Sequence, residues 1–251
     1  MVFGKNRVMT SHLSHTLSAR AVLSDVAALI LPVACAGCSL PDRALCSSCR
    51  REILRGVITV SRLPGSGSDS FCVFSALSYE RTVRRVLLAF KDQDRVDVAS
   101  VLARALRPAI RAALTASAAP PHQHAKVIPV VIPTSRVAWR RRGFHPTGTV
   151  LARAGILSPP LWRAIRWSYQ STTQRGLSRS DRALNRAGTM VASSRLSGRS
   201  CLIIDDVLTT GATVNEARRA ICAAGGVVVG AATLAKTPLS FDSHSVPGAL
   251  R

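Results

Sequence analysis

Aromatic side chains make up only 4% of this 251-residue chain. A core short of large rings must be built from Ala, Val, Leu and Ile, which suits parallel strands covered by helices and argues against a β-sandwich. Acidic residues are also scarce, with 13 Asp and Glu against 34 Lys and Arg, a formal charge of +21. From Val98 to Ser180 there is no acidic residue at all, while Arg and Lys occur thirteen times. Such a balance points to a polyanionic partner or substrate; a biased base composition is the bland alternative for the total charge. No uninterrupted apolar run approaches the ~20 residues of a membrane span. Residues 21–34 come nearest, but Asp25 breaks them, and Leu23, Val26, Ala27 and Ile30 recur at helical spacing. That segment reads as an amphipathic helix on the body of the protein, neither a signal sequence nor a span, and the expected location is cytoplasmic. Neither G-x-G-x-x-G nor GxxxxGK[ST] occurs, which disfavours a redox dinucleotide fold and a P-loop nucleotide site.

What is present is length enough for one full core plus a small appended module, in a chain that is 47% apolar. The expected division is an N-terminal segment with the amphipathic helix (1–30), a four-cysteine module (31–62), an α/β domain (71–237) and a disordered tail (238–251). A Gly/Ser-rich loop at Leu63 to Ser70 marks the boundary between module and domain. Within the domain, Phe71 to Tyr79 has β character, and Arg81 to Lys91 and Val96 to Leu114 read as helices, the second containing Pro108. Arg104, Arg107 and Arg111 would form one basic stripe on it. From Lys126 onward strand, loop and helix alternate: Val127 to Ile132 as a buried strand, Phe144 to Ala154 as a helix, Cys201 to Ile204 as a second strand, a helix from Thr213 ended by Gly225-Gly226, and a last strand at Val227 to Leu234. This is the rhythm of a parallel sheet flanked by helices.

Four of the seven cysteines form two CxxC pairs, Cys35/Cys38 and Cys46/Cys49, seven residues apart. Two such pairs bring four thiolates to one point with the tetrahedral geometry that Zn2+ prefers. Disulfides are the competing reading, but nothing directs the chain to an oxidising compartment. A site full at four ligands is structural, and metal binding would supply folding free energy on the order of 10 kcal/mol to a segment with little core of its own. Cys72, Cys201 and Cys222 lie in expected strands and a helix and read as buried and inert.

The strongest signal is Cys201-Leu-Ile-Ile-Asp205-Asp206-Val207-Leu208-Thr209-Thr210-Gly211-Ala212-Thr213. A buried strand delivers two adjacent carboxylates to the edge of the sheet, where open α/β folds bind ligands. A turn of hydroxyls and glycine follows, then a helix N-terminus, whose free N–H groups and dipole favour phosphate. Carboxylates and phosphate would repel each other unless they served different parts of one ligand. A sugar phosphate meets that condition, with hydroxyls for the acids and a phosphate for the loop.

The segment resembles the phosphoribosyl diphosphate (PRPP) signature of type I phosphoribosyltransferases. Further pieces narrow the resemblance to the competence-associated ComF family, which joins a Cys-rich knuckle to this fold. They are Leu31-Pro32 before the CxxC pairs, the Tyr79-Glu80 to Lys91 segment, Val130-Val131-Ile132-Pro133 with Arg136 and Arg142-Gly143-Phe144, and Gln174 with Leu177, Arg182 and Asn185. The resemblance implies a type I phosphoribosyltransferase fold in which Asp205 and Asp206 hold the ribose, and Val207 to Thr213 (Thr209, Thr210, Gly211 and Ala212 among them) wrap the 5′-phosphate. Thr134, Ser135 and Arg136, in the loop from Pro133 to Arg142, would face the pyrophosphate, and Mg2+ would accompany it. Cationic donors there would stabilise the leaving pyrophosphate as the ribosyl centre develops positive charge. Arg140 to Arg142 serve either PRPP or nucleic-acid phosphate. Gln170 to Asn185 has the composition of a mobile hood. His145-Pro146 stands where the family commonly has Asn-Gln, which opens the question of acceptor recognition; His145 is a base or a structural residue at a helix start. The association with competence implies, as an alternative, single-stranded DNA and DNA-uptake proteins as partners, with Trp139, Trp162 and Trp167 inside the basic stretch.

Overall fold

In the computed structural model, residues 33–64, 70–117, 126–156, 163–168 and 188–238 are described. The amphipathic helix expected at residues 21–34 lies outside them except for its last two residues, which are not helical, and Leu31-Pro32, the hood at Gln170 to Asn185, Trp162 and the tail from residue 239 lie outside them.

The described chain runs as α1 (Ser47–Leu54), β1 (Thr59–Pro64), β2 (Ser70–Ser78), α2 (Arg81–Asp92), a 3-10 turn (Val96–Val98), α3 (Ala99–Thr115), β3 (Ile128–Val131), α4 (Arg136–Arg142), α5 (Pro146–Ala154), β4 (Ile165–Trp167), β5 (Met190–Ala192), β6 (Ser200–Leu208), α6 (Ala212–Ala223) and β7 (Val227–Lys236). Five strands form the central sheet in the order β1-β2-β7-β6-β3. Pairing of β2 with β7, β7 with β6 and β6 with β3 is parallel; β1 alone runs antiparallel, against β2. The expected α/β architecture, a mostly parallel sheet flanked by helices with a four-cysteine cluster ahead of it, is the one observed.

Alternation along the strands explains why the sheet is covered on both faces. On β6, Leu202 and Ile204 point into a core with Phe74, Leu87, Leu102, Leu106, Ile110 and Val150, contributed by β2, α2, α3 and α5. Cys201 and Ile203 point the other way, onto Val73, Val130, Val214, Ala217 and Ile221. A strand buried on both faces reads as an unbroken apolar run, which is how CLII appears in the sequence. The small β4–β5 hairpin pairs antiparallel and packs on the α6 side.

Three elements differ from the sequence reading. The strand carrying the acid pair does not end at Ile204: β6 continues to Leu208, because Asp205, Val207 and Leu208 keep ladder partners in Thr233, Ala235 and Lys236 of β7. The segment from Arg136 to Arg142 is a helix, not a loop. The Ser135 hydroxyl accepts from the Ala138 amide at one end, and Gly143 closes the other with φ +70. The stretch before the Gly/Ser-rich segment pairs antiparallel with β2, so Thr59–Pro64 is an edge strand of the central sheet. Polar loop composition marks a turn, but not which strands it connects.

One polar pair sits inside the sheet. Ser75 of β2 and Thr233 of β7 are cross-strand partners, fully buried, with their hydroxyls 2.8 Å apart. Thr233→Val leaves the Ser75 hydroxyl buried beside a methyl, which should cost about 1–3 kcal/mol of unfolding free energy in urea titration, whereas the double variant Ser75→Ala/Thr233→Val should cost less than the two single losses added.

Candidate functional site

Because β3, β6, β7 and β2 are parallel, their C-terminal ends lie along one edge, the place where open α/β sheets take ligands. Asp205 and Asp206 sit there side by side and half-buried. The Asp206 amide donates to Asp205 Oδ1 at 2.8 Å, which fixes the first carboxylate against its own backbone. Thr209 and Thr210 are exposed at the turn, and the Thr210 hydroxyl accepts from the Ala212 amide at 3.4 Å. Gly211 takes φ +80 and packs against Leu63 of β1, where a Cβ would come within 2.6 Å of a leucine methyl. Only glycine satisfies both the left-handed turn and that contact. The N-cap of α6 is Gly211, which has no side chain to offer, and the Thr210 hydroxyl meets the Ala212 amide instead, so the start of the helix and its dipole face the turn. The acid pair, the hydroxyl turn and the helix start thus follow one another at this edge.

The segment after β3 approaches the same edge. The Ile132 amide donates to the Ile204 carbonyl, one residue before the acids. Thr134 is half-buried; Ser135 spends its hydroxyl on the cap of α4, and Arg136 is exposed. None of the residues of α4 is buried, and Val137, Trp139, Arg140 and Arg141 are all exposed. The expected stripe on α3 is only partly available, since Arg107 donates to the Ala154 carbonyl at 2.6 Å and so ties α3 to the end of α5, while Arg104 and Arg111 are exposed.

Two residues that the sequence left without a role close the site from the side of α2. Lys91 Nζ lies 2.6 Å from Asp206 Oδ2. Its neighbour Asp92 accepts from Arg141 and Arg142 at 2.6 and 2.9 Å through one oxygen. Lys91 closes the Tyr79-Glu80 to Lys91 segment, but a pairing between residues so far apart in the chain leaves no mark on either local pattern.

His145 is the N-cap of α5, with Nδ1 accepting from the Gly148 amide at 3.2 Å. Burial lowers its pKa, outweighing a backbone hydrogen bond with Ile132 and the charge of Asp206. A neutral ring with Nδ1 as acceptor is what a cap requires, so the structure gives His145 the structural one of its two roles. Trp167 of β4 donates its indole N–H to the Pro133 carbonyl at 2.9 Å, joining the small hairpin to the segment after β3. On the other strand of that hairpin, Met190 is held through both backbone groups: its amide donates to Glu216 Oε1 at 2.8 Å, and its carbonyl accepts from Arg219 at 2.9 Å. Glu216 is almost fully buried, and Arg219 grips it through two nitrogens. Burial pushes this carboxyl up, but the hydrogen bonds from Arg219 and Met190 more than offset that and leave it below its usual range.

The four cysteine sulfurs Cys35, Cys38, Cys46 and Cys49 lie within 4.8 Å of one another and could hold a metal ion. Amides of Gly37 and Cys46 point at Cys35 Sγ at 3.4 and 3.2 Å, and the Cys49 amide at Cys46 Sγ at 3.5 Å, the donors that thiolates need. Burial raises the Cys35 pKa, yet the backbone donors bring it down to about 6. Cys49 is pushed far up, first by burial and then by the crowding of the other sulfurs. Four soft donors that cannot all ionise beside one another fit a divalent cation, whose charge reverses that penalty. The cluster is docked on α2: Gly37 has no room for a Cβ against Cys49 Sγ and Thr82, and its carbonyl accepts from Arg85.

With this geometry in place, residues 153–242 match the phosphoribosyl transferase domain family. The chain is also 48% identical over 44 residues to an orotate phosphoribosyltransferase of Pyrobaculum islandicum, a stretch that covers 18% of this chain and 23% of that relative. Both support a phosphoribosyltransferase domain here; among the described residues, no helix is long and apolar enough to cross a membrane.

The metal site predicts that a strong chelator lowers the melting temperature and releases one equivalent of Zn2+, read with a colorimetric zinc indicator, and that Cys49→Ser melts lower and holds less zinc; unchanged melting with no metal released would rule the site out. Glu216 gives a pH dependence. Its folded pKa is depressed, so its contribution is complete above the unfolded value of about 4.3 and is lost as pH falls through the folded one. Unfolding free energy should therefore drop more steeply below about pH 4.3 in the native protein than in Glu216→Gln.

Proposed function

We propose that this protein is a ComF-type, phosphoribosyltransferase-like protein that binds PRPP with Mg2+, with transfer of the phosphoribosyl group to an acceptor as its chemistry. The observation that carries the reading is the passage from β6 to α6, where two carboxylates and a hydroxyl-lined turn precede a helix start with glycine at its N-cap. Asp205 and Asp206 would accept hydrogen bonds from the ribose hydroxyls. Thr209, Thr210 and Thr213, with the amides of Val207 to Thr213, would surround the 5′-phosphate. Thr134, Ser135 and Arg136 would meet the pyrophosphate at the start of α4, where exposed guanidinium groups can stabilise its departure. Mg2+ would be held largely by the substrate phosphates, with the oxygen donors at this edge beside it, and would supply positive charge against that of the leaving pyrophosphate. Zn2+ at the four cysteines has no open position and would be structural. A cytoplasmic location fits a soluble metabolite as substrate.

A second reading is favoured by α4, whose lack of any buried residue leaves arginines and Trp139 presented together. In it, the protein is a single-stranded-DNA-binding accessory of DNA uptake, with the PRPP site retained as a regulatory or vestigial feature. Backbone phosphates would take Arg140 and Arg141, and a base could stack on Trp139.

Asp205→Asn/Asp206→Asn should abolish PRPP binding in calorimetric titration with Mg2+ while sparing single-stranded DNA, and an unchanged PRPP affinity would show that the acids are not the ribose site. Replacing Arg140, Arg141 and Arg142 with Ala should weaken single-stranded DNA binding and flatten its salt dependence by about 1.4 units of slope, from two phosphate contacts at roughly 0.7 each.

A further inference from the structure

Two adjacent carboxylates at a site meant for a polyanion pose an electrostatic problem, because each repels the other and both repel an incoming phosphate. The structure answers it from outside the motif. Lys91, in the last turn of α2, places its ammonium 2.6 Å from Asp206 Oδ2, and both side chains are largely shielded, at 17% and 27% exposed. The lysine is held in place. Phe90, beside it, is buried and packs on Phe144 with ring centroids 5.6 Å apart, and Val86 and Leu87 anchor the preceding turn in the core. Asp92, the next residue along the chain, is paired with Arg141 and Arg142. The opposite charges therefore pair along α2 in one way, with Lys91 turned to the acid pair and Asp92 to α4.

We propose that Lys91 is the positioning residue of the acid pair: it holds the Asp206 carboxylate in the orientation that receives the ribose hydroxyls and offsets its charge so that a polyanionic sugar phosphate can approach. Asp205 Oδ1 is held by the Asp206 amide. The division of labour is specific. Lys91 acts on the sugar half of the ligand, while the pyrophosphate half meets the segment around α4. This role rests on the PRPP reading above and adds to it a residue outside the β6–α6 motif.

The test uses the full-length, zinc-loaded protein, its Lys91→Met and Lys91→Arg variants, Asp206→Asn, and the double variant Lys91→Met/Asp206→Asn. Each is titrated with PRPP plus Mg2+, with ribose 5-phosphate and with inorganic pyrophosphate, and its melting temperature is recorded. Lys91→Met should weaken PRPP and ribose 5-phosphate by about tenfold or more while pyrophosphate changes by less than about twofold. Lys91→Arg should recover most of the loss, because it restores the charge even if the fold of Lys91→Met is weakened. In the Asp206→Asn background, Lys91→Met should add almost nothing, since the partner it served is gone. Native-like affinity in Lys91→Met, tighter ribose 5-phosphate binding, or losses that add in the double variant would each overturn the role of Lys91. A native protein that binds neither PRPP nor ribose 5-phosphate would instead overturn the ligand reading, and this role with it.

Discussion

The parallel pairing of β6 with β3 on one side and β7 on the other is the constraint from which the rest of the site follows. A central strand with both neighbours in place must bury both of its faces, and Cys201 to Ile204 do so completely. The same ladder carries the strand on past its apolar segment, pairing Asp205 with Thr233 and Val207 with Ala235, so Asp205 and Asp206 lie within a strand rather than in a loose turn. Carboxylates on a rigid strand keep their spacing; on a loop they would move apart to relieve their repulsion. The turn and α6 then have one place to start, under Leu63 of the edge strand, where only a glycine fits.

That rigidity brings an electrostatic cost, and α2 offsets it. The helix leaves the end of β2 and its last turn reaches the acid pair, so one element touches the four-cysteine cluster through Thr82 and Arg85, the acids through Lys91, and α4 through Asp92. Paired charges at partial burial contribute less to stability than to geometry, since desolvation cancels much of their attraction. Their value here is that each carboxylate has a fixed partner. Met190 shows the same economy on the other face, where Glu216 and Arg219 of α6 hold both of its backbone groups and so fix the β4–β5 hairpin to the helix whose N-terminus faces the turn.

The cysteine cluster illustrates a different balance. Its own buried residues are three of the four cysteines, with Leu45 packed against them, and so small an apolar surface cannot offset the entropy of ordering the segment. What it has is donors arranged around one point and a face fitted to α2. Arg95 reinforces that fit by donating to the Ala34 and Ala44 carbonyls while paired with Asp97. Metal would complete such a module, and docking would give it a direction.

The sequence by itself determined the parts whose signals are local. The apolar run of β6, the acids, hydroxyls and glycine after it, and the paired CxxC spacing each lie within a few residues, so their chemistry could be read in order along the chain. It also determined that both faces of the sheet would be covered, because an unbroken apolar strand has no polar face to give to water. Tertiary structure alone decided how far β6 runs, since two carboxylates look like a strand end until β7 is seen to pair with them. It decided that Arg136 to Arg142 form a helix, that β1 belongs to the central sheet, and that His145 caps α5. It decided, too, that Lys91 meets Asp206. An ion pair between a helix and a distant strand depends on where the fold brings their ends together, and that position comes from the packing of the whole core on the sheet.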